Sequence, residues 1–216
     1  MEIKVYRNLM EVNADWAGRT RQLARQHGVK MLNLIGSPGA GKTRLLEAMV
    51  GALGTRFRFT VLEGDVETIR DAERLHKLGI PVSQLITGGS CHLSAQMVHA
   101  AYKELPLAEL DLVIVENVGN LMCPAAFDIG EDAKVAVLSV TEGEDKPVKY
   151  PLLFQEAKAV VITKTDLLPH ISFDMPACLD CIRQVNAKIP VFQLSAHSGA
   201  GMSAWIDWVA STAAGT

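Results

Sequence analysis

Eight consecutive residues, Gly36-Ser37-Pro38-Gly39-Ala40-Gly41-Lys42-Thr43, fill the pattern G-x-x-x-x-G-K-[ST] without a gap. The residue types specify the chemistry. Glycines let the backbone curl until successive N–H groups point at one anion. A lysine reaches the β and γ phosphates of a nucleotide, and a threonine hydroxyl faces the Mg²⁺ that accompanies them. Lys42 and Thr43 occupy those two positions, and Arg44 follows them into a helix whose positive end adds to the field. The loop specifies a nucleotide and leaves the base open.

The base is addressed later in the chain, by Thr163-Lys164-Thr165-Asp166. The Asp166 carboxylate can accept both N1–H and the 2-amino group of guanine, whereas adenine would turn an acceptor toward the same oxygens. Lys164 is expected to lie along the base plane. Ser195-Ala196, one strand further on, is expected to offer a backbone N–H to guanine O6. Where such a motif usually opens on Asn this chain has Thr163, a change expected to loosen the loop.

Two acids complete the expected phosphate site. Asp65 closes Glu63-Gly64-Asp65, and Glu116 opens Glu116-Asn117-Val118-Gly119. Carboxylates at strand ends beside a phosphate loop hold Mg²⁺ directly or through water, so Thr43, Asp65 and Glu116 form the expected magnesium set. Asp65 is also expected to orient the attacking water, with Lys42 as the electrostatic catalyst, and Gly119 to present its N–H to the γ-phosphate. No residue stands out as a built-in arginine finger, which predicts slow hydrolysis.

A second group has a different chemistry. Cys91-His92 lie just past a strand, and Cys123 follows Glu116 by seven residues. Two thiolates and an imidazole suit Ni²⁺ or Zn²⁺, and the residue types do not choose between them. Three ligands leave a position that water or a second subunit would fill. Cys178 and Cys181 form a C-x-x-C among Ala177, Leu179, Ile182 and Val185, and are expected to be buried helix residues.

These residues need a scaffold. Short apolar runs at Met31–Ile35, Phe57–Leu62, Val82–Ile86, Leu112–Val115, Val135–Val140, Ala159–Ile162 and Val191–Leu194 alternate with helical patterns at Thr43–Leu53, Ile69–Leu78, Leu93–Glu104, Cys178–Ala187 and from Met202 onward. This predicts a single α/β P-loop NTPase domain over 31–216, with a mostly parallel β-sheet covered by helices on both faces. Residues 1–30 are expected to form an N-terminal helical extension packed on that domain, carrying Val12, Trp16 and Leu23 at helical spacing. Apolar residues make up 49% of the chain and charged residues 21%, which excludes general disorder. With 21 basic and 24 acidic residues, no positive surplus points to nucleic acid. The apolar runs are too short to span a bilayer and no export signal opens the chain, so the expected location is the cytoplasm.

Taken together, these segments resemble the HypB family of hydrogenase nickel-incorporation GTPases, of the SIMIBI class. The resemblance rests on the phosphate loop, Glu63-Gly64-Asp65, Cys91-His92-Leu93, Glu116-Asn117-Val118-Gly119-Asn120-Leu121, and Glu142-Gly143-Glu144-Asp145-Lys146-Pro147 followed by Lys149-Tyr150-Pro151. It implies a slow, Mg²⁺-dependent GTPase that cycles between GTP and GDP and helps deliver Ni²⁺ to the large subunit of a [NiFe]-hydrogenase. It further implies a metal site at Cys91, His92 and Cys123, a homodimer controlled by GTP, other nickel-maturation accessory proteins as partners, and Lys146 as a nucleotide or dimer contact. The chain has no Cys before Cys91 and only His27 in that region, so a partner is expected to supply the metal. The similar urease accessory GTPases would show Cys-Pro-His where this chain has Cys91-His92. Two rival readings are a P-loop kinase or ATPase and a metal carrier with a vestigial nucleotide site.

Overall fold

The computed structural model describes residues 8–54 and 56–215. In chain order the elements are α1 (Leu9–His27), β1 (Lys30–Gly36), α2 (Lys42–Leu53), β2 (Phe59–Asp65), α3 (Arg70–His76), β3 (Val82–Ile86), α4 (Ala95–Lys103), β4 (Leu112–Glu116), α5 (Cys123–Ala126), β5 (Ala133–Ser139), α6 (Lys146–Lys149), α7 (Pro151–Glu156), β6 (Ala159–Thr163), α8 (Met175–Val185), β7 (Val191–Gln193) and α9 (Met202–Ala214). Two 3₁₀ turns, Leu107–Glu109 and Thr165–His170, lie between them. The strands form one parallel sheet in the order β3-β2-β4-β1-β5-β6-β7. The expected fold class is therefore the observed one.

Strand periodicity sorts the side chains into two layers. Leu32 and Leu34 of β1, Val61 of β2, Leu112 and Ile114 of β4 and Val135 and Val137 of β5 pack under α2 and α9, around the fully buried Trp205. Their alternates, including Met31, Leu62, Val113 and Val115, face α1 and α4. The remaining alternates of β5 and β6 face α7 and α8. The same alternation carries Glu63 and then Asp65 of β2, and Glu116 of β4, from this layer to the sheet's carboxyl edge under α2. The edge of the sheet where β1 separates β4 from β5 is the usual crevice for a ligand in such folds.

The differences from the expected boundaries have local causes. β2 begins at Phe59 and runs to Asp65, because its polar end pairs with β3 as regularly as its apolar start. α8 starts at Met175, where the Asp174 side chain accepts from the Ala177 N–H and Pro176 occupies the first turn. The short helices α5, α6 and α7 each carry a proline in the first turn and are too brief to show a period.

α1 lies against α4 through a face other than that of Val12, Trp16 and Leu23. Its buried residues are Asn13, Ala17, Thr20 and Ala24, while Val12 is exposed and Trp16 and Leu23 are half-buried. Small side chains admit close approach to α4. Asn13 replaces hydrophobic anchoring with two hydrogen bonds, its Nδ2 donating to the Asp128 carbonyl at 2.7 Å and its Oδ1 accepting from the Ala95 N–H at 2.9 Å. The first seven residues of the expected extension lie outside the described residues. Of the C-x-x-C pair Cys178 is buried, but Cys181 is half-exposed, rotated toward the flank of α8. Among the described residues no helix is long and apolar enough to cross a membrane.

Candidate functional site

The phosphate loop joins β1 to α2 as a turn closed by the Ala40 N–H on the Ser37 carbonyl at 3.1 Å. Gly41 has φ +91°, which a side chain at that position would strain, and it places the first turn of α2 directly behind the loop. Lys42 is buried. Its Nζ donates to the carbonyls of Gly36 and Ser37 at 3.3 and 3.5 Å, curling over the loop it belongs to. Burial pushes its pKa down, against the pull of Glu116 and other acids.

A cleft of about 400 Å³ opens in front of this loop. Lys42, Thr43, Asp65, Glu116 and Gly119 line it together, and so does Arg44. Thr43 Oγ1 donates to Glu116 Oε1 at 2.8 Å. Gly119 lies against Pro38 so closely that an added Cβ would sit 2.8 Å from the proline ring, which locks this segment to the phosphate loop. Asp65 is at the rim, where its Oδ1 accepts from the N–H groups of Glu67 and Thr68 at 2.9 and 3.0 Å. Partial burial raises its pKa, but those backbone donors outweigh burial and hold the carboxyl below its ordinary value. It stays a charged acceptor aimed at the cleft and also fixes the turn leading to α3.

The sequence assigns Glu63 no role beyond its place in Glu63-Gly64-Asp65. It pairs with Glu116 across β2 and β4, is 2% exposed, and lines the same cleft. One buried oxygen of each, Glu63 Oε2 and Glu116 Oε2, has no hydrogen-bond partner. Burial, and then the Glu116 charge, push Glu63 up to about 8. Burial pushes Glu116 up to about 7 against Lys42 and the Thr43 hydroxyl. Two unpartnered carboxylate oxygens beside a threonine hydroxyl are a donor set that fits a hard divalent cation. The signal available in the sequence was the period-2 spacing of Glu63 and Asp65 at the end of an apolar strand.

A second pocket, about 230 Å³, adjoins the phosphate loop and is lined by Arg44, Thr163, Lys164, Asp166 and Ala196 among others. Lys164 sits at φ +60° and its Nζ donates to the Gly39 carbonyl at 2.7 Å, so its stem forms one wall. Thr163 does not loosen the loop. Its hydroxyl donates to the Ala40 carbonyl at 2.6 Å and ties the base loop to the phosphate loop directly. Ser195 needs correction as a backbone donor, because its N–H is taken by the Ala200 carbonyl at 2.9 Å. Its hydroxyl instead donates to Asp166 Oδ1 at 2.5 Å, orienting that carboxylate, and Ala196 lines the same pocket. That hydrogen bond is the main cause holding Asp166 below the usual carboxylate range. Lys146 lines neither pocket. It pairs with Glu142 at 3.7 Å and lies over the Tyr150 ring.

Cys91, His92 and Cys123 converge within one chain, their ligand atoms all within 4.8 Å of one another. Ligand atoms around one tetrahedral Zn²⁺-sized ion lie roughly 3.3–3.8 Å apart, so binding would draw the three together by up to about 1 Å. The His92 ring is stacked on Phe127, centroids 3.9 Å apart, and burial lowers its pKa, which favours the neutral imidazole that a metal requires. Cys91 is exposed, leaving an open side for a further ligand.

The cleft and the Cys/His cluster are joined by Asn117, to which the sequence assigns no role beyond its place in Glu116-Asn117-Val118-Gly119. Its Oδ1 accepts from the N–H of Leu93 at 3.3 Å and of Val118 at 3.0 Å, and its Nδ2 donates to Asn33 Oδ1 at 3.1 Å. Asn120 reaches the Cys91 carbonyl at 3.4 Å.

A seven-stranded parallel sheet with this loop at the end of its central strand defines a P-loop nucleotide-binding protein. The family model for the CobW/HypB/UreG nucleotide-binding domain matches residues 30–193. The hydrogenase maturation factor HypB of Azotobacter vinelandii is 46% identical over 207 residues, which is 96% of this chain and 68% of that protein. The crystal structure of HypB from Helicobacter pylori in complex with nickel superposes with a TM-score of 0.89 at 34% identity, covering 94% of this chain and 95% of the other. HypB of Archaeoglobus fulgidus gives 0.87 at 32% identity, covering 94% and 99%. The chain belongs to the CobW/HypB/UreG family and, within it, to the HypB hydrogenase maturation factors.

Proposed function

We propose that this chain is a slow, Mg²⁺-dependent GTPase whose nucleotide state controls a Cys/His site for Ni²⁺ and the pairing of two subunits, and that it assists nickel insertion into a [NiFe]-hydrogenase. The observation that carries the reading is the continuity of one short segment. Glu116, Asn117 and Gly119 face the phosphate cleft, and Cys123 a few residues on belongs to the metal cluster.

Asp166 selects guanine, with Ser195 orienting it and Lys164 and Ala196 bounding the base. Lys42 leaves the Gly36 and Ser37 carbonyls for the β and γ phosphates. Thr43, Glu116 and Glu63, with Asp65 nearby, would hold Mg²⁺, which supplies charge neutralisation at the phosphates. Asp65 orients the water. A GTP-bound Gly119 segment shifts Asn117 and with it the Leu93 anchor, so Cys91 and His92 change position relative to Cys123. Lys146 acts on the paired subunit. Nickel is cargo in this scheme, handed over as hydrolysis changes the cluster.

Ni²⁺ titration of the protein in GDP and in a non-hydrolysable GTP analogue tests the scheme. Linkage requires that nucleotide and metal alter each other's affinity by one common factor. Equal nickel affinity in both nucleotide states would refute the coupling.

A further inference from the structure

Arg74 was not singled out by any motif, yet its guanidinium lines the phosphate cleft. It is held between two carboxylates, Nη1 on Asp71 Oδ1 at 2.7 Å and Nη2 on Glu47 Oε1 at 2.8 Å. Glu47 lies one turn past Thr43 on α2, and its side chain is only 9% exposed. Its other oxygen, Oε2, takes Arg44 Nη1 at 2.9 Å. One nearly buried carboxylate thus parks two guanidiniums at the rim of a phosphate cleft. Arg74 and Glu116 line the same cleft.

A guanidinium is a planar fork matched to carboxylate and phosphate oxygens alike. When a nucleotide brings its terminal phosphate to Lys42, a second anion of that geometry arrives beside Arg74. GDP brings none. We propose that Arg74 is a catalytic residue of GTP hydrolysis, contacting the terminal phosphate from within the same chain, with Glu47 as its positioning residue. The inference rests on the GTPase reading above. In the reaction water oxygen bonds to the γ-phosphorus and the bond to the β–γ bridging oxygen breaks. The electron pair leaves on GDP and the water proton ends on the released phosphate. Arg74 supplies positive charge where that negative charge collects.

The test compares wild type, Arg74→Ala, Arg74→Lys and Glu47→Gln by affinity for GDP, affinity for a non-hydrolysable GTP analogue, single-turnover GTP hydrolysis and melting temperature. For Arg74→Ala the expected result is a loss of about tenfold in analogue affinity and about a hundredfold in hydrolysis, with GDP affinity nearly unchanged. Arg74→Lys restores part of the analogue affinity and little of the rate, because a point charge lacks the fork. Glu47→Gln lowers kcat with KM retained. Unchanged hydrolysis in Arg74→Ala, or equal losses for GDP and analogue alongside a lowered melting temperature, overturns the proposal and leaves Arg74 as a packing tie between α2 and α3. A wild-type protein that binds no guanine nucleotide overturns the proposed function as well, so the two failures are distinguishable.

Discussion

The side-chain carbonyl of Asn117 accepts a hydrogen bond from the backbone N–H of Leu93 at 3.3 Å. One residue directly follows the cleft carboxylate Glu116 and the other directly follows the cluster ligand His92. Asn117→Ala cuts that link and orphans the Leu93 and Val118 N–H groups, at a cost of about 1–3 kcal/mol for each buried group left unsatisfied. The expected outcome is that nickel affinity no longer differs between GDP and GTP-analogue states, while each site still binds its ligand. Chelator competition in the two nucleotides measures it. A difference as large as in wild type would place the coupling elsewhere.

Glu63 and Glu116 predict an unusual pH dependence in the nucleotide-free protein. Folding raises both carboxyls from 4.5, to about 8 and about 7. The folded chain therefore holds protons that the unfolded chain releases. The associated stability is fully present below about pH 4.5 and is lost as pH rises to about 8. Glu63→Gln keeps the shape and cannot ionise. It is expected to raise stability at pH 8 by about 2 kcal/mol relative to wild type, since each pKa unit is worth about 1.4 kcal/mol and the pair shares its shift. At pH 4.5 the gain should vanish. Urea unfolding across this range decides it, and a gain independent of pH would contradict the shared-burial explanation.

At the base pocket, Ser195→Ala removes the hydroxyl that fixes Asp166 and leaves the carboxylate in place. GDP affinity should fall about tenfold, the scale of one charge-assisted hydrogen bond, with guanine still preferred. Asp166→Asn should erase the preference itself, because the amide nitrogen donates where guanine N1–H also donates. Fluorescent GDP, ADP and XDP titrations separate the two effects. Selectivity surviving in Asp166→Asn would remove Asp166 from the base site.

The sheet and both ligand loops were legible because their signals are local. Seven near-continuous apolar runs mark strands covered on both faces, and Gly36–Thr43 is a contiguous motif. What stayed hidden is pairwise. Glu63 looks like any strand-end acid until β2 and β4 are placed side by side and Glu116 faces it. Arg74 is an ordinary exposed-helix arginine until α3 folds back onto Glu47. The docking face of α1 was misjudged for a related reason. Apolar spacing pointed to Val12, Trp16 and Leu23, whereas close helix packing selected Ala17, Thr20 and Ala24, with Asn13 satisfied by partners 82 and 115 residues away.

A metal ion held by Cys91, His92 and Cys123 would exchange with protons. The neighbouring Cys91 thiol, then burial, raises the pKa of Cys123. Metal requires both sulfurs as thiolates, so binding must displace protons, and affinity should rise with pH by up to about a hundredfold per unit while both thiols are protonated. Cys91→Ser and Cys123→Ser should each weaken Ni²⁺ and Zn²⁺ binding by about a hundredfold and halve the proton release. Phe127→Ala touches no ligand atom but frees the His92 ring from its stack, and should cost about tenfold with proton release unchanged. Calorimetry in buffers of different ionisation enthalpy counts the protons directly. Binding that releases none, or that survives loss of either thiol undiminished, would show that these three side chains meet in the fold without serving as a metal site.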